Sequence, residues 1–151
     1  MTSFPEVSDE LALQRARSLI SPSYDYLGLD ITDGGAGWLE VTLTVRDELL
    51  TGDGVLHGGM WTLVADSSMG GALRTVIEVE RERAVTAQLD LRWLRPARGE
   101  TLRSVGRLIR RGRTLSHCTA EIFDTRDELV GSASGTFMVV STVTQDSASP
   151  R

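Results

Sequence analysis

The segment from Met60 to Ile77 constrains the chain more than any other. Met60, Leu63, Val64, Met69, Leu73, Val76 and Ile77 recur at helical spacing, with small residues filling most of the gaps. A helix that is apolar on most sides has no polar face to turn to water, so other elements must enclose it. The pattern predicts a buried helix from about Gly59 to Ile77.

The remaining segments have the period of strands. In "WLEVTLTV", Leu39, Val41, Leu43 and Val45 share one face. "YDYLGLDITD" before it reads as a first strand, and Gly34 to Gly37 as the turn of a hairpin. After the helix, Glu78 to Arg83 is a polar connection. Four strand-like segments follow, "AVTAQLDLRWLRPA", "TLRSVGRLIRR", "TLSHCTAEIFD" and "ELVGSASGTFMVV". Val85, Ala87, Leu89, Leu91 and Trp93 alternate along the first of them, and Cys118, Ala120 and Ile122 along the third. Arg98-Gly99, Gly112 and Asp127 mark the turns between. At the start, Ser8 caps a short amphipathic helix, about residues 8–20, which Pro22 ends. A polar tail begins at about residue 143. Strands that follow one another favour antiparallel pairing, and one buried helix must lie against a face of their sheet. The expectation is one α+β domain spanning residues 1–151, an antiparallel sheet wrapped around one long central helix.

Charge and cysteine usage narrow the function classes. A formal net charge of -5 speaks against a general nucleic-acid binder. No apolar run reaches the roughly 18 residues of a membrane span, and the first residues lack the apolar core of a signal peptide. Cys118 is the only cysteine, so no intrachain disulfide forms. These features point to the cytoplasm. The 16 basic residues are all arginine, and eight of them fall between Arg92 and Arg113, opposed there only by Glu100. Such a cluster serves either as a solvated strand face or as an anion site.

"VLHGGMWTLVADSSMGGAL" breaks several local rules at once. Paired glycines weaken a helix, and a carboxylate on an apolar face is costly. Gly58 and Gly59 at a helix start leave backbone N–H groups uncovered for a developing oxyanion; they serve equally as a tight turn that permits close packing. Asp66, seven residues beyond Gly59, returns to the same helix face after about two turns. It can act as general base or nucleophile, or it can be an exposed residue on a polar strip with Ser67 and Ser68. His57 can orient a carbonyl or tie down the loop. His117 reads as ordinary strand structure.

Together, "GVLHGGMWTLVADSSMGGAL" and "TAQLDLRWLRPARGE" resemble the hotdog-fold acyl-CoA thioesterases of the PaaI-like (phenylacetate-pathway) group. The resemblance rests on Gly54, His57, Gly58, Gly59, Asp66, Trp93, Leu94, Pro96 and Ala97, and covers roughly Tyr24 to Val140. It implies that Gly59, with Gly58, donates to the oxyanion, that Asp66 is the acid–base or nucleophilic carboxylate, and that Thr86 stands near the attacking water. It implies an acyl-CoA substrate, aryl or medium-chain, with coenzyme A as part of the substrate and no further cofactor or metal. It also implies a homodimer or homotetramer whose active sites lie between subunits. Thr51 stands where many relatives carry an asparagine, and a hydroxyl does not reproduce both the donor and the acceptor of an amide. Thr51 and Gly54 are thus candidates for the substrate side of the site. Met60, Trp61 and Met69 are candidates for the acyl pocket, and Arg110, Arg111 and Arg113 for the coenzyme A phosphates. Two alternatives are a non-catalytic acyl-CoA sensor, which would not need Asp66, and a hotdog dehydratase or hydratase, whose histidine context is missing around His57.

Overall fold

The computed structural model describes residues 6–18 and 20–142. The polar tail expected from about residue 143, and Leu19 near the end of the first predicted helix, lie outside the described residues. Among the described residues, three α-helices, α1 (Asp9–Arg17), α2 (Pro22–Leu27) and α3 (Gly58–Arg74), and one 3-10 turn at Asp47–Leu49 accompany six strands. These are β1 (Leu29–Gly35), β2 (Trp38–Thr44), β3 (Glu82–Trp93), β4 (Thr101–Arg111), β5 (Leu115–Phe123) and β6 (Leu129–Ser141). All pairings are antiparallel, in the order β1-β2-β4-β5-β6-β3, and the sheet curls around α3. This is the architecture the helical period and the resemblance imply. None of the described helices is long and apolar enough to cross a membrane.

The N-terminal region departs from expectation in two places, the first being that α1 ends at Arg17 rather than near residue 20. Ser8 caps α1 as its sequence suggests, its hydroxyl accepting from Leu11 N–H at 3.3 Å. Pro22, however, opens a second helix rather than ending the first. Proline suits the first helical position, where an N–H has no intrahelical partner. The segment Tyr24 to Leu27 is therefore helical, and Gly28, at φ 75°, caps it in the left-handed region. Only from Leu29 does the chain become the first strand. The hairpin that follows turns tightly on Ala36-Gly37, with Gly35 paired to Trp38.

The core is the layer between α3 and the concave face of the sheet. Leu39, Val41 and Leu43 of β2 and Cys118, Ala120 and Ile122 of β5 are buried, as their alternation predicts. Val64, Met69 and Leu73 meet them from α3, each fully buried; burial of such side chains contributes about 1.5–3 kcal/mol apiece. The helix approaches β4 most closely at Gly106, where an added Cβ would lie 2.3 Å from the Ser68 backbone carbonyl. Beside that contact, the buried hydroxyls of Ser68 and Ser104 share a hydrogen bond of 2.8 Å. α3 ends at Arg74, three residues before the predicted limit. The Thr75 hydroxyl donates to Ala72 O and accepts from Gly37 N–H, which ties this end of the helix to the β1–β2 turn.

β3 is an edge strand, and its faces differ from the simple alternation. The register against β6 shifts between Thr86 and Gln88, a bulge. Before the shift Ala84 and Thr86 turn toward α3; after it Leu89 and Leu91 do. An extra residue reverses the parity of a strand, which period-2 counting cannot register. Val85 and Ala87 therefore do not share a face with Leu89 and Leu91, and Val85 is exposed.

Candidate active site

The loop before α3 is held by its own backbone. Thr51 N–H donates to Val55 O at 2.7 Å, and Gly54 N–H to Thr51 O at 2.9 Å. Gly54 sits at φ 75°, and nothing lies near a Cβ placed there, so conformation rather than space asks for glycine. His57 N–H donates to Leu49 O, and its ring caps α3: Gly59 N–H donates to His57 Nδ1 at 3.0 Å. That bond fixes Nδ1 as the unprotonated ring nitrogen. Met60 N–H is taken by His57 O. Among the described residues, the Gly58 N–H has no acceptor. Of the two glycines proposed as oxyanion donors, Gly58 is thus the one with a free N–H at the positive end of α3. The Trp93 ring lies over it, 3.5 Å from where a Cβ on Gly58 would be.

Asp66 stands two turns further on. It is half-buried rather than sunk in the core, because it faces the gap between α3 and β3. Thr86 Oγ1 donates to Asp66 Oδ1 at 2.7 Å. The bulge just after Thr86 is what aims this hydroxyl inward. Oδ2 has no hydrogen-bond partner among the described residues. Beside Asp66 opens a cavity of about 190 Å³, walled by Tyr24, Leu39, Gly70, Ala84 and Phe137. Gly70 keeps it open, since a Cβ there would meet the Phe137 ring at 3.3 Å.

Arg74 closes the other end of the same cavity, and sequence reasoning did not single it out. Its Nε and Nη2 are buried without a hydrogen-bond partner among the described residues. Burial pushes its pKa below the ordinary arginine value, Tyr24 opposes that shift, and the charge of Arg83 adds to it. The available signal was spacing: Asp66, Gly70 and Arg74 follow one another at four-residue intervals, one above the next on a helix face.

Other sequence candidates fall elsewhere. Trp61 and Met69 belong to the core, Trp61 against Gly131 and Met69 against Gly135, so they do not wall the cavity. Their helical phase points them at the sheet, and the pocket walls come instead from Phe137, Leu39 and Tyr24. Met60 is half-buried near the start of α3. The Thr51 hydroxyl is buried with no partner among the described residues. Arg111 is engaged by Glu82 at 3.3 Å, which leaves Arg110 and Arg113 exposed on that turn. The turn lies by the connection that follows α3, whereas the glycines begin α3; 17 residues of helix, about 25 Å, separate the two ends. His117 is exposed on the outer face, its Nδ1 3.2 Å from the Thr136 hydroxyl.

One distance governs what a single chain can do. Gly58 and Asp66 are eight residues apart on α3, so about 12 Å of helix rise separates their Cα atoms. A reacting carbonyl must lie about 3 Å from both its oxyanion donor and its base or nucleophile. The free N–H and the carboxylate of one chain do not meet around one carbonyl.

Comparison with known proteins gives the site a context. A sequence model described as "Thioesterase superfamily" matches residues 53–131, which include the glycine turn, Asp66, Thr86 and Arg74. Among solved structures, a thioesterase family protein from Silicibacter pomeroyi is 26% identical over 86% of this chain and 98% of its own, with a TM-score of 0.80. A conserved protein of Pseudomonas aeruginosa is 31% identical over 83% of this chain and 99% of its own, with a TM-score of 0.76. The Escherichia coli PaaI protein from the phenylacetic acid degradation operon shares the fold, with a TM-score of 0.78 at 24% identity over 87% of this chain and 95% of its own.

Proposed function

Because the chain belongs to the thioesterase superfamily, as a thioester hydrolase of the hotdog fold, we propose that it hydrolyses acyl-coenzyme A thioesters, aryl or medium-chain, at sites shared between two copies. The observation that carries this reading is the arrangement of Asp66, held by Thr86, and the free Gly58 N–H about 12 Å away on the same helix.

β3 supplies the link. It is a 12-residue edge strand with Thr86 beside Asp66 near one end and Trp93 over Gly58 at the other. Val85, Trp93 and the following Leu94 are exposed apolar side chains, an arrangement that invites pairing with another strand. Antiparallel pairing with its twin, centred near Leu89 and Asp90, sets Thr86 of one subunit beside Trp93 of the partner subunit. Asp66 then faces Gly58 of the partner subunit. Two equivalent sites result, as two-fold symmetry requires.

In each site Asp66 accepts a proton from water through its free Oδ2 while the water oxygen attacks the thioester carbon. The carbonyl oxygen gains charge beside the partner's Gly58 N–H at the positive end of α3. The Gly59 N–H joins it when the His57 ring gives up its bond. The carbon–sulfur bond then breaks, and the proton held by Asp66 passes to the departing thiolate. Arg110 and Arg113 are left to meet coenzyme A phosphates. No further cofactor is part of the scheme, and cytoplasmic location is part of the proposal.

The experiment is thiol release from a panel of acyl-CoAs, wild type beside Asp66→Ala. Turnover by the wild type that is lost with Asp66 supports the enzyme. Binding without turnover by the wild type would make the protein a sensor instead.

A further inference from the structure

Among the described residues, the half-buried arginines other than Arg74 each have an acceptor: Arg15 donates to the Thr75 carbonyl oxygen at 3.5 Å, and two others pair with carboxylates. Arg103 is paired with Glu40 at 2.9 Å and with Asp127, and Arg111 with Glu82 at 3.3 Å. Arg74 has none among the described residues, although its Nε and Nη2 are buried. An uncompensated buried cation is costly and calls for an anion. Among the described residues, the cavity it faces holds only one carboxylate, Asp66, set two turns back and making no ion pair with it. Between the two lie the bare backbone of Gly70 and the apolar walls of Phe137, Leu39 and Ala84. The space thus runs from a reactive carboxylate, across an apolar middle, to an unpaired guanidinium.

Resting on the acyl-CoA hydrolase reading, we propose that the acyl group held in this cavity ends in a carboxylate received by Arg74. The preferred substrate class is then, in place of neutral aryl or medium-chain acyl groups, the coenzyme A monothioester of a short dicarboxylic acid. Guanidinium forks bind carboxylates through two parallel hydrogen bonds. A neutral acyl end would leave those donors unpaired, so the site selects against it. Arg83, whose charge is felt at Arg74, strengthens the field for an anion. Size limits the chain. About 190 Å³ accommodates roughly six water-sized groups. The Cα atoms of Asp66 and Arg74 are about 12 Å apart along the helix, and helical side chains lean toward the N-terminus, which draws the guanidinium back toward Asp66. A diacid of roughly four to six carbons fits these limits.

The test compares hexanoyl-CoA with adipoyl-CoA, equal in length and different in the distal group, on wild type, Arg74→Met and Arg74→Lys. The wild type is expected to prefer adipoyl-CoA by at least about tenfold in kcat/KM. Arg74→Met should bring that ratio to one or below, and Arg74→Lys should keep part of it. Without ligand, Arg74→Met should unfold at the same temperature as wild type or higher, because it removes an unpaired charge. A wild type that cleaves hexanoyl-CoA as well as adipoyl-CoA overturns the proposal and leaves the hydrolase reading standing. So does a ratio unmoved by Arg74→Met, or a large fall in its unfolding temperature, which would assign Arg74 a structural role. If neither thioester is cleaved, the hydrolase reading fails separately. Calorimetric titration of the same two compounds then still decides on Arg74: equal affinity for both rejects the carboxylate site, and tighter adipoyl-CoA binding that Arg74→Met abolishes upholds it.

Discussion

The Thr86 hydroxyl donates to the Asp66 carboxylate at 2.7 Å, joining the edge strand to the central helix at the mouth of the cavity. The bond engages Oδ1 and leaves Oδ2 for water. Thr86 is a positioning residue in this scheme. Thr86→Val keeps the shape and removes the donor, so kcat should fall about tenfold with KM nearly unchanged, and Thr86→Ser should recover most of the loss. Steady-state kinetics on the best acyl-CoA decide it. Equal losses in Thr86→Val and Thr86→Ser would mean that strand packing, not the hydroxyl, matters.

Gly58 offers an unusually clean substitution. It is the first residue of α3, where proline fits the helix, removes the N–H and sets a ring carbon in the place of its hydrogen. His57 before it is already extended at ψ 132°, as a residue preceding proline must be. Gly58→Pro should fold normally and lose about 10²-fold or more in kcat, the scale for one oxyanion donor. Mixing it with Asp66→Asn after co-refolding should restore activity, to about a quarter of wild type, since each heterodimer regains one intact site. If the mixture stays as inactive as its components, each site is built from a single chain.

The close approach of α3 to β4 predicts a stability effect. A Cβ at Gly106 meets backbone, not a movable side chain. Gly106→Ala should cost about 1–3 kcal/mol in urea unfolding, the usual cost of overpacking. Gly52→Ala, where nothing lies within 4 Å, is the control and should change little. Similar midpoints for the two variants would remove Gly106 from the packing account.

Cys118 gives a pH dependence with a definite sign. Burial pushes its thiol up to about 12 from an ordinary 9.0. The folded state thus holds its proton more tightly than the unfolded state does. This contribution is fully present below about pH 9 and is lost as pH rises toward 12. Folded protein at pH 8 should resist iodoacetamide, and urea-unfolded protein should react fully. Rapid labelling of the folded chain would show Cys118 to be accessible.

Much of this was legible in residue order, and the exceptions have physical causes. The period of Met60 to Ile77 implied a sheathed helix, and alternation in β2 and β5 picked out their buried faces. Asp66 stood out because a carboxylate amid apolar residues breaks a local rule. The faces of β3 did not, because a bulge is a matter of pairing with β6 and leaves no mark on the alternation. Pro22 suggests a stop from sequence alone because proline both ends and begins helices. Trp61 and Met69 looked like pocket walls, but apolar residues near a site are equally core. Arg74 was invisible because the absence of a partner is a property of the folded neighbourhood. Only its spacing from Asp66 hinted at a shared face.

The central claim is that the Asp66 carboxylate drives thioester hydrolysis, and Asp66→Asn tests it most directly. The substitution keeps the shape and removes the charge. Single-turnover hydrolysis of the best acyl-CoA should slow by about 10²-fold or more, with binding affinity and unfolding midpoint close to wild type. A variant that hydrolyses that substrate at near wild-type rate would contradict the account and leave Asp66 as a structural partner of Thr86.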